Sequence, residues 1–261
     1  MFLILFCGTL AVQLLLNFHD QLRFLQTSPT RIYGRSARLL GFYDIPTLNT
    51  KQFCFTGLVF ILSLLSATAG IASRWCLLVA LCCYFLYFGQ IISLGYVQRK
   101  TNLIPIVLLI LLVSPSIGHP LQQSAPLWPV VLTKIALAQM YFSAGLQKLR
   151  RGGLRWCNGR ALQAYLVHYY LWGDMPGALR LAQQPRLCVL LTSLVMTFEL
   201  TFWLMLLSPP LTYGYALGGL IFHSATALTM RIHYLKYLSP VYMVFATELA
   251  FQLLPVLSEN W

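Results

Sequence analysis

Long apolar runs alternate with short polar stretches along the whole chain. A helix of roughly 20 apolar residues can cross the hydrocarbon core of a bilayer. The pattern predicts about eight such helices, at residues 1–18, 53–73, 75–95, 103–118, 128–147, 187–208, 212–230 and 237–255. We therefore expect an all-α fold, a polytopic membrane helix bundle that forms one transmembrane domain over residues 1–261.

Two local features refine these boundaries. The first run, MFLILFCGTLAVQLLLNF, lacks the basic start and the small-residue cleavage site of a signal peptide, so we interpret it as a membrane helix. Pro209 and Pro210 are expected to form a tight turn between spans six and seven. A turn this short makes those two spans an antiparallel pair.

Basic residues are distributed unevenly among the connecting stretches. The stretches after spans one, three, five and seven contain sixteen of the eighteen Lys and Arg residues, and those after spans two, four and six contain only Arg74. The positive-inside rule then places the basic stretches in the cytoplasm and, with eight spans, both termini outside. If the first run does not cross, the N-terminus lies inside. We expect an integral protein of a bacterial plasma membrane.

Composition supports this class. The chain is 58% hydrophobic and only 9% charged, whereas soluble domains carry about 25% charged residues. Its net charge of +12 would suggest nucleic acid in a soluble protein, but here the basic residues flank apolar runs, where they meet anionic lipid. Seven cysteines without CxxC or Cys/His spacing are expected to be free thiols, and no metal site is predicted.

The stretch between spans five and six, residues 148–186, contains a further helical pattern. In RALQAYLVHYYLW, apolar and aromatic residues recur at helical spacing, namely Leu162, Tyr165, Leu166 and Tyr169. A basic start and tyrosines at headgroup depth are typical of a helix that lies in the membrane interface. His168 is interpreted as an interfacial histidine.

Ionisable residues inside the spans are candidates for function, because a charged side chain at mid-bilayer costs about 2.5–3.5 kcal/mol. Glu199 lies in the middle of span six and His223 in the middle of span seven. Both are similarly far from the proline turn, so we expect them at the same depth, facing the interior and within reach of each other directly or through one water. For His223 the alternative is a structural hydrogen bond between helices.

Span five carries three polar residues on one helical stripe. Tyr141 and Lys148 follow Lys134 at seven-residue intervals, which keeps all three near one face of a helix. The two lysines would then line one cavity at depths about 21 Å apart. The alternative for Lys134 is a side chain that snorkels outward.

Short motifs resemble a known family. YFSAGLQKL at 141–149, Trp156, FEL at 198–200, IFH at 221–223 and KTNLIPIVLLILLVSP at 100–115 are similar to the membrane domain of vitamin K-dependent gamma-carboxylases and of the bacterial horizontally transferred transmembrane (HTTM) proteins. The carboxylases use reduced vitamin K, oxygen and carbon dioxide to carboxylate protein glutamates.

The resemblance implies roles for particular residues. Lys148 stands where the family's catalytic base deprotonates the hydroquinone, and Glu199 and His223 lie in the other matching motifs. A neutral lysine amine is favoured by neighbouring cations and desolvation. The residues expected to contact a vitamin K-like quinone are Lys134, Tyr141, Lys100, Arg150 and Arg151.

This sequence also differs from the carboxylases. Gln147 replaces the first of two adjacent lysines, Lys100 stands near the position of a functional histidine, and the large soluble domain that holds the protein substrate is missing. The charge bias places Lys148 near the cytoplasmic face, whereas the carboxylases act on the lumenal side.

Two functions therefore remain open. One is quinone-linked modification of a peptide or lipid. The other is a non-enzymatic membrane partner in the maturation, export or immunity of a secreted peptide. A proton-coupled transporter would show an inverted repeat or a broken-helix pair, and the sequence has neither.

Overall fold

The computed structural model describes residues 1–27, 37–39, 43–45, 48–93, 102–114, 127–173 and 175–258. In chain order the elements are α1 (Phe2–Thr27), β1 (Ala37–Leu39), β2 (Tyr43–Ile45), α2 (Thr50–Thr68), α3 (Ser73–Ser93), α4 (Leu103–Val113), α5 (Trp128–Gly152), a 3-10 helix (Gly153–Asn158), α6 (Arg160–Gly173), α7 (Pro176–Ala182), α8 (Pro185–Thr201), a second 3-10 helix (Phe202–Leu206), α9 (Pro209–Met230) and α10 (Leu235–Ser258).

The protein is predominantly helical, and its helices are those of an integral membrane protein. Five segments of the described chain are long and apolar enough to cross a membrane, namely Phe2–Thr27, Thr50–Thr68, Ser73–Gln90, Trp128–Asn158 and Pro185–Leu206. The predicted fourth, seventh and eighth spans are not among these five, and for the fourth the reason is length, because α4 has only 11 residues. At 1.5 Å per residue it is about 16 Å long, roughly half the hydrocarbon thickness.

The bounds of other predicted spans also change. The first helix does not end near residue 18 but continues to Thr27, since the polar residues that follow the apolar run extend the same helix. Helix α5 continues beyond residue 147 to Gly152, so Lys148 lies inside a helix and not at its end. Arg150 and Arg151 occupy the last turn of α5, where cations interact favourably with the helix dipole.

One short hairpin departs from the all-α expectation. β1 and β2 pair antiparallel, with Arg38 opposite Asp44. Both strands lie in the stretch between the first two predicted spans, which the sequence analysis treated as a loop. Strands of three residues are too short to give a clear alternating pattern.

The described helices form two compact units, and the prediction of a single domain stays a prediction. Unit 1 comprises Met1–Thr133 and Tyr237–Trp261, and unit 2 comprises Lys134–Lys236. The core of unit 1 is aromatic: Phe53 and Tyr87 stack with ring centroids 4.3 Å apart. The Tyr87 hydroxyl donates a 2.6 Å hydrogen bond to Gln21 Oε1, so a buried polar contact joins α1 to α3.

Unit 2 consists of α5 from Lys134 onward, α6, α7, α8, α9 and the two 3-10 helices. Helix α6 confirms the helical pattern predicted between spans five and six. Its buried face packs in a cluster around Leu166, Ala178, Ala182, Cys188 and Met230, with Leu162 and Tyr169 at the edge. Tyr165, predicted on the same face, is exposed instead, because it lies about 100° around the helix from Leu166.

The connection between α8 and α9 differs from the predicted proline turn. Pro209 and Pro210 are the first two residues of α9, and Leu207 and Ser208 make the connection. Proline is favoured in the first helical turn, where its missing N–H would have no intrahelical partner. The short connection still keeps α9 directly against the second 3-10 helix.

Candidate functional site

An ion pair between α5 and α8 is the centre of the candidate site. Lys148 Nζ donates a hydrogen bond to Glu199 Oε1, and the Glu199 side chain is only 5% exposed while that of Lys148 is 23% exposed. A buried charge that loses its partner costs several kcal/mol. The charges of Lys148 and Glu199 therefore balance each other inside two segments that are apolar enough to cross a membrane.

A glycine permits the close approach of the two helices at this pair. A Cβ added at Gly145 would lie 3.0 Å from Glu199 Cβ and 3.1 Å from Leu200 Cγ. Gly145 is on the same helical stripe as Tyr141 and Lys148, at intervals of four and three residues. The glycine brings the backbone of α8 close to α5 at the level where Glu199 reaches Lys148.

A second polar pair joins the same stripe of α5 to α9. Tyr141 Oη and His223 Nε2 are 2.5 Å apart, and both residues are buried. Aromatic rings surround the pair. The Tyr141 ring stacks on Phe202 with centroids 4.0 Å apart, and His223 contacts the rings of Phe222 and Tyr234.

Each pair leaves one buried polar atom without a hydrogen bond to the part of the chain that the structure describes. These atoms are Glu199 Oε2 and His223 Nδ1. A carboxylate oxygen can only accept a hydrogen bond, whereas His Nδ1 either donates or accepts according to its tautomer. Because buried polar groups normally have a partner, the two atoms could bind a ligand that carries hydroxyl or carbonyl groups.

Trp156, in the first 3-10 helix, is a site residue whose contact the sequence analysis missed. Lys148 Nζ lies 5.5 Å from the centroid of its indole ring, within the range of a cation–π interaction worth about 0.5–2 kcal/mol. The sequence signal was the glycine pair at 152–153, which ends α5 and allows the chain to return towards Lys148. The two glycines indicate a turn, but they do not show which residue the Trp156 ring contacts.

Direct contact between Glu199 and His223, one of the two arrangements that the sequence predicted, does not form in the structure, and contact through one water stays a prediction. Both side chains are buried, as expected, but Glu199 bonds Lys148 and His223 bonds Tyr141. The prediction used depth along α8 and α9 alone. Depth does not fix the direction of a side chain around the helix axis, and α5 provides a partner for each residue.

The other predicted site residues lie in different environments. Lys134 is buried, which contradicts the outward-snorkelling alternative. Arg150 and Arg151 are exposed, and so is His168 on α6. Lys100 lies outside the described residues. The described residues contain no group of three or more His, Cys, Asp and Glu that could hold a metal ion.

Comparison with known proteins adds no relative. No family model matches the sequence, and no curated protein or solved structure matches it either. The geometry of unit 2 therefore carries the functional argument.

Proposed function

We propose that this integral membrane protein is an HTTM-like membrane enzyme whose unit 2 transfers protons to and from a quinone-type substrate, with Lys148 as the base. The observation that carries the proposal is the lysine–glutamate pair held inside two apolar helices, because ionisable residues within membrane segments mark functional sites. We expect this proton transfer to serve the modification of a peptide or lipid, as the resemblance to the carboxylase membrane domain implies.

The surroundings of the pair favour a flat, apolar substrate with oxygen substituents. Aromatic side chains prefer stacked or edge-to-face contact with other rings. Four aromatic rings lie around Tyr141 and His223, those of Phe198, Phe202, Phe222 and Tyr234. Glu199 Oε2 and His223 Nδ1 supply hydrogen-bonding atoms for the oxygen substituents. A bound hydroquinone would supply an acidic hydroxyl and two reducing electrons.

The chain's own residues can hold and move the proton. Passing one proton from the Lys148 ammonium to Glu199 Oε1 gives a neutral amine and a carboxylic acid without leaving an isolated charge. The amine can then accept a hydroxyl proton at Nζ, which a guanidinium cannot do, because arginine is not deprotonated in proteins. Tyr141 and His223 form a second donor–acceptor pair that can orient the other end of the substrate.

The proposal includes a membrane topology. Eight spans in a bacterial plasma membrane, with the sixteen biased basic residues in the cytoplasm, place Lys148 near the cytoplasmic face. In this arrangement the substrate reaches the amine from the bilayer, and water reaches it from the cytoplasmic headgroup layer.

The direct test is oxygen-dependent oxidation of a naphthohydroquinone by the purified protein, measured as quinone absorbance above the uncatalysed rate. We expect Lys148→Arg to lower the catalysed rate by about 10²-fold or more, the usual contribution of a general base. Arg160→Lys and Arg186→Lys are matched controls, since both residues are exposed, neither is expected to contact the quinone, and charge is retained. They should change the rate less than about twofold.

A folded Lys148→Arg variant that oxidises the hydroquinone at the natural rate would overturn the base role. If the natural protein shows no catalysed rate and its organic extract contains no quinone, the enzymatic proposal fails. The function that then remains is that of a non-enzymatic membrane partner of a secreted peptide. Mass spectrometry of that extract provides the second measurement.

A further inference from the structure

We propose that Trp156 is a positioning residue that covers the Lys148 ammonium and holds it against Glu199. The ammonium has Glu199 as its hydrogen-bond acceptor, and the Trp156 ring centroid lies 5.5 Å from Nζ. The negative face of an indole attracts a cation. The ring therefore restrains the lysine head electrostatically, while its bulk limits contact with water.

Gly152 is required for the ring to occupy this place. A Cβ at Gly152 would lie 2.5 Å from Trp156 Cδ1 and 3.4 Å from its Nε1. Contacts under about 3 Å do not occur between such atoms, so an alanine would move the indole. The backbone itself would accept alanine, because the φ angle of Gly152 is −123°. Gly152 thus provides space for the ring rather than an unusual backbone conformation.

Gly159 fixes the other end of the 3-10 helix to α8, the helix that carries Glu199. Its φ angle is +79°, and an added Cβ would lie 2.8 Å from the backbone nitrogen of Val189. A side chain would be disfavoured here by both the backbone conformation and the contact. The segment that carries Trp156 therefore packs closely against α5 at Gly152 and against α8 at Gly159.

The Trp156 ring lies next to Lys148 although several arginines are close to it in sequence. Arg150, Arg151 and Arg155 lie within a few residues and are exposed, yet the cation over the Trp156 ring is Lys148. A covered ammonium with one carboxylate partner can exchange its proton with that partner in preference to bulk water. The inference rests on the proposed function for the reaction that the amine serves, but its geometry can be tested without a substrate.

The test is the acetylation rate of Lys148 in the purified full-length protein, with N-hydroxysuccinimide acetate as the probe. Peptide mass spectrometry gives the rate relative to Lys51, an exposed lysine in α2. We expect Trp156→Leu to raise the relative rate about fivefold, because the cation–π interaction is lost and the smaller side chain covers less of the amine. Trp156→Phe keeps an aromatic face and should stay within about twofold of the natural protein.

Gly152→Ala provides an independent arm, since it displaces the ring without removing it. It should raise the relative rate as Trp156→Leu does, whereas Gly214→Ala, where an added Cβ meets nothing within 4 Å, should not. An unchanged rate in Gly152→Ala, or equal rates in Trp156→Leu and Trp156→Phe, would overturn the proposal.

The melting temperature shows whether Trp156→Leu folds. If it does not, the comparison of the Lys148 acetylation rates in Gly152→Ala and Gly214→Ala tests the proposal by itself. A Lys148→Arg variant with the natural oxidation rate would contradict the proposed function. The labelling rates are measured on Lys148 in the Trp156 and Gly152 variants and do not depend on that result, so the two failures can be told apart.

Discussion

Lys148 and Glu199 are opposite charges in a region where either charge alone would be costly. Glu199 is almost fully buried, and Lys148 keeps partial access to solvent. Removing Lys148 therefore leaves a buried carboxyl group without its donor, whereas removing the charge of Glu199 leaves an ammonium that can still be partly hydrated. The two single substitutions should differ in cost for this reason.

We predict that Lys148→Met lowers the stability of the detergent-solubilised protein by about 2–3 kcal/mol and Glu199→Gln by about 1–2 kcal/mol, a range reduced from that of fully buried pairs. The double variant should be less destabilised than the two single effects combined, because no unpaired charge remains. Thermal unfolding of all four proteins measures the coupling. Strict additivity would show that the pair does not form.

Helix α6 shows how one element can be apolar on two faces. Leu166 is fully buried on α7, α8 and α9, while Leu171 is 71% and Trp172 82% exposed on the opposite side. A helix that lay on the protein surface in water would expose polar residues there. The exposed apolar face fits the proposed interfacial location, where tryptophan and leucine meet lipid.

The two faces predict different responses to the same substitution. Leu166→Ala should lower stability by about 2–5 kcal/mol, because a buried leucine leaves a cavity. Leu171→Ala is the matched control and should change stability by less than about 0.5 kcal/mol. Unfolding in one detergent measures both. Equal effects would contradict the packing of α6 onto unit 2.

For the whole molecule, the uneven distribution of basic residues predicts which ends of the spans face the cytoplasm. Two positions in unit 2 allow this orientation to be tested. Gly159 packs against Val189 near the start of α8, so the first 3-10 helix lies at that end. Leu207 lies beyond the far end of the segment Pro185–Leu206. These 22 residues cover about 33 Å, which is enough to cross the hydrocarbon core.

We predict that an impermeant maleimide labels Leu207→Cys in intact cells and labels Arg155→Cys only after the cells are permeabilised. The natural chain has seven cysteines of its own. Labelling of each introduced cysteine is therefore measured as the signal above that of the natural chain. The reverse pattern would invert the topology while leaving the spans in place. Labelling of both sites in intact cells would show that Pro185–Leu206 does not cross.

The sequence by itself determined the membrane class, most helices and the residues worth following. Runs of apolar residues near 20 in length identify α1, α2, α3, α5 and α8 without any tertiary information, because length and hydropathy are local properties. The cost of charge in lipid likewise singled out Lys134, Glu199 and His223, and the family resemblance singled out Lys148. Proline was ambiguous at this level, since the same residue suits a turn or a first helical position.

Only the tertiary structure decided which of these residues meet. Lys148 and Glu199 are 51 positions apart, and Tyr141 and His223 are 82 positions apart. Such contacts depend on the rotation of each helix about its axis and on close approaches such as that at Gly145. Trp156 became a site residue for the same reason: a 3-10 turn at Gly152 returns its ring to Lys148, and one sequence does not encode that direction in any local pattern.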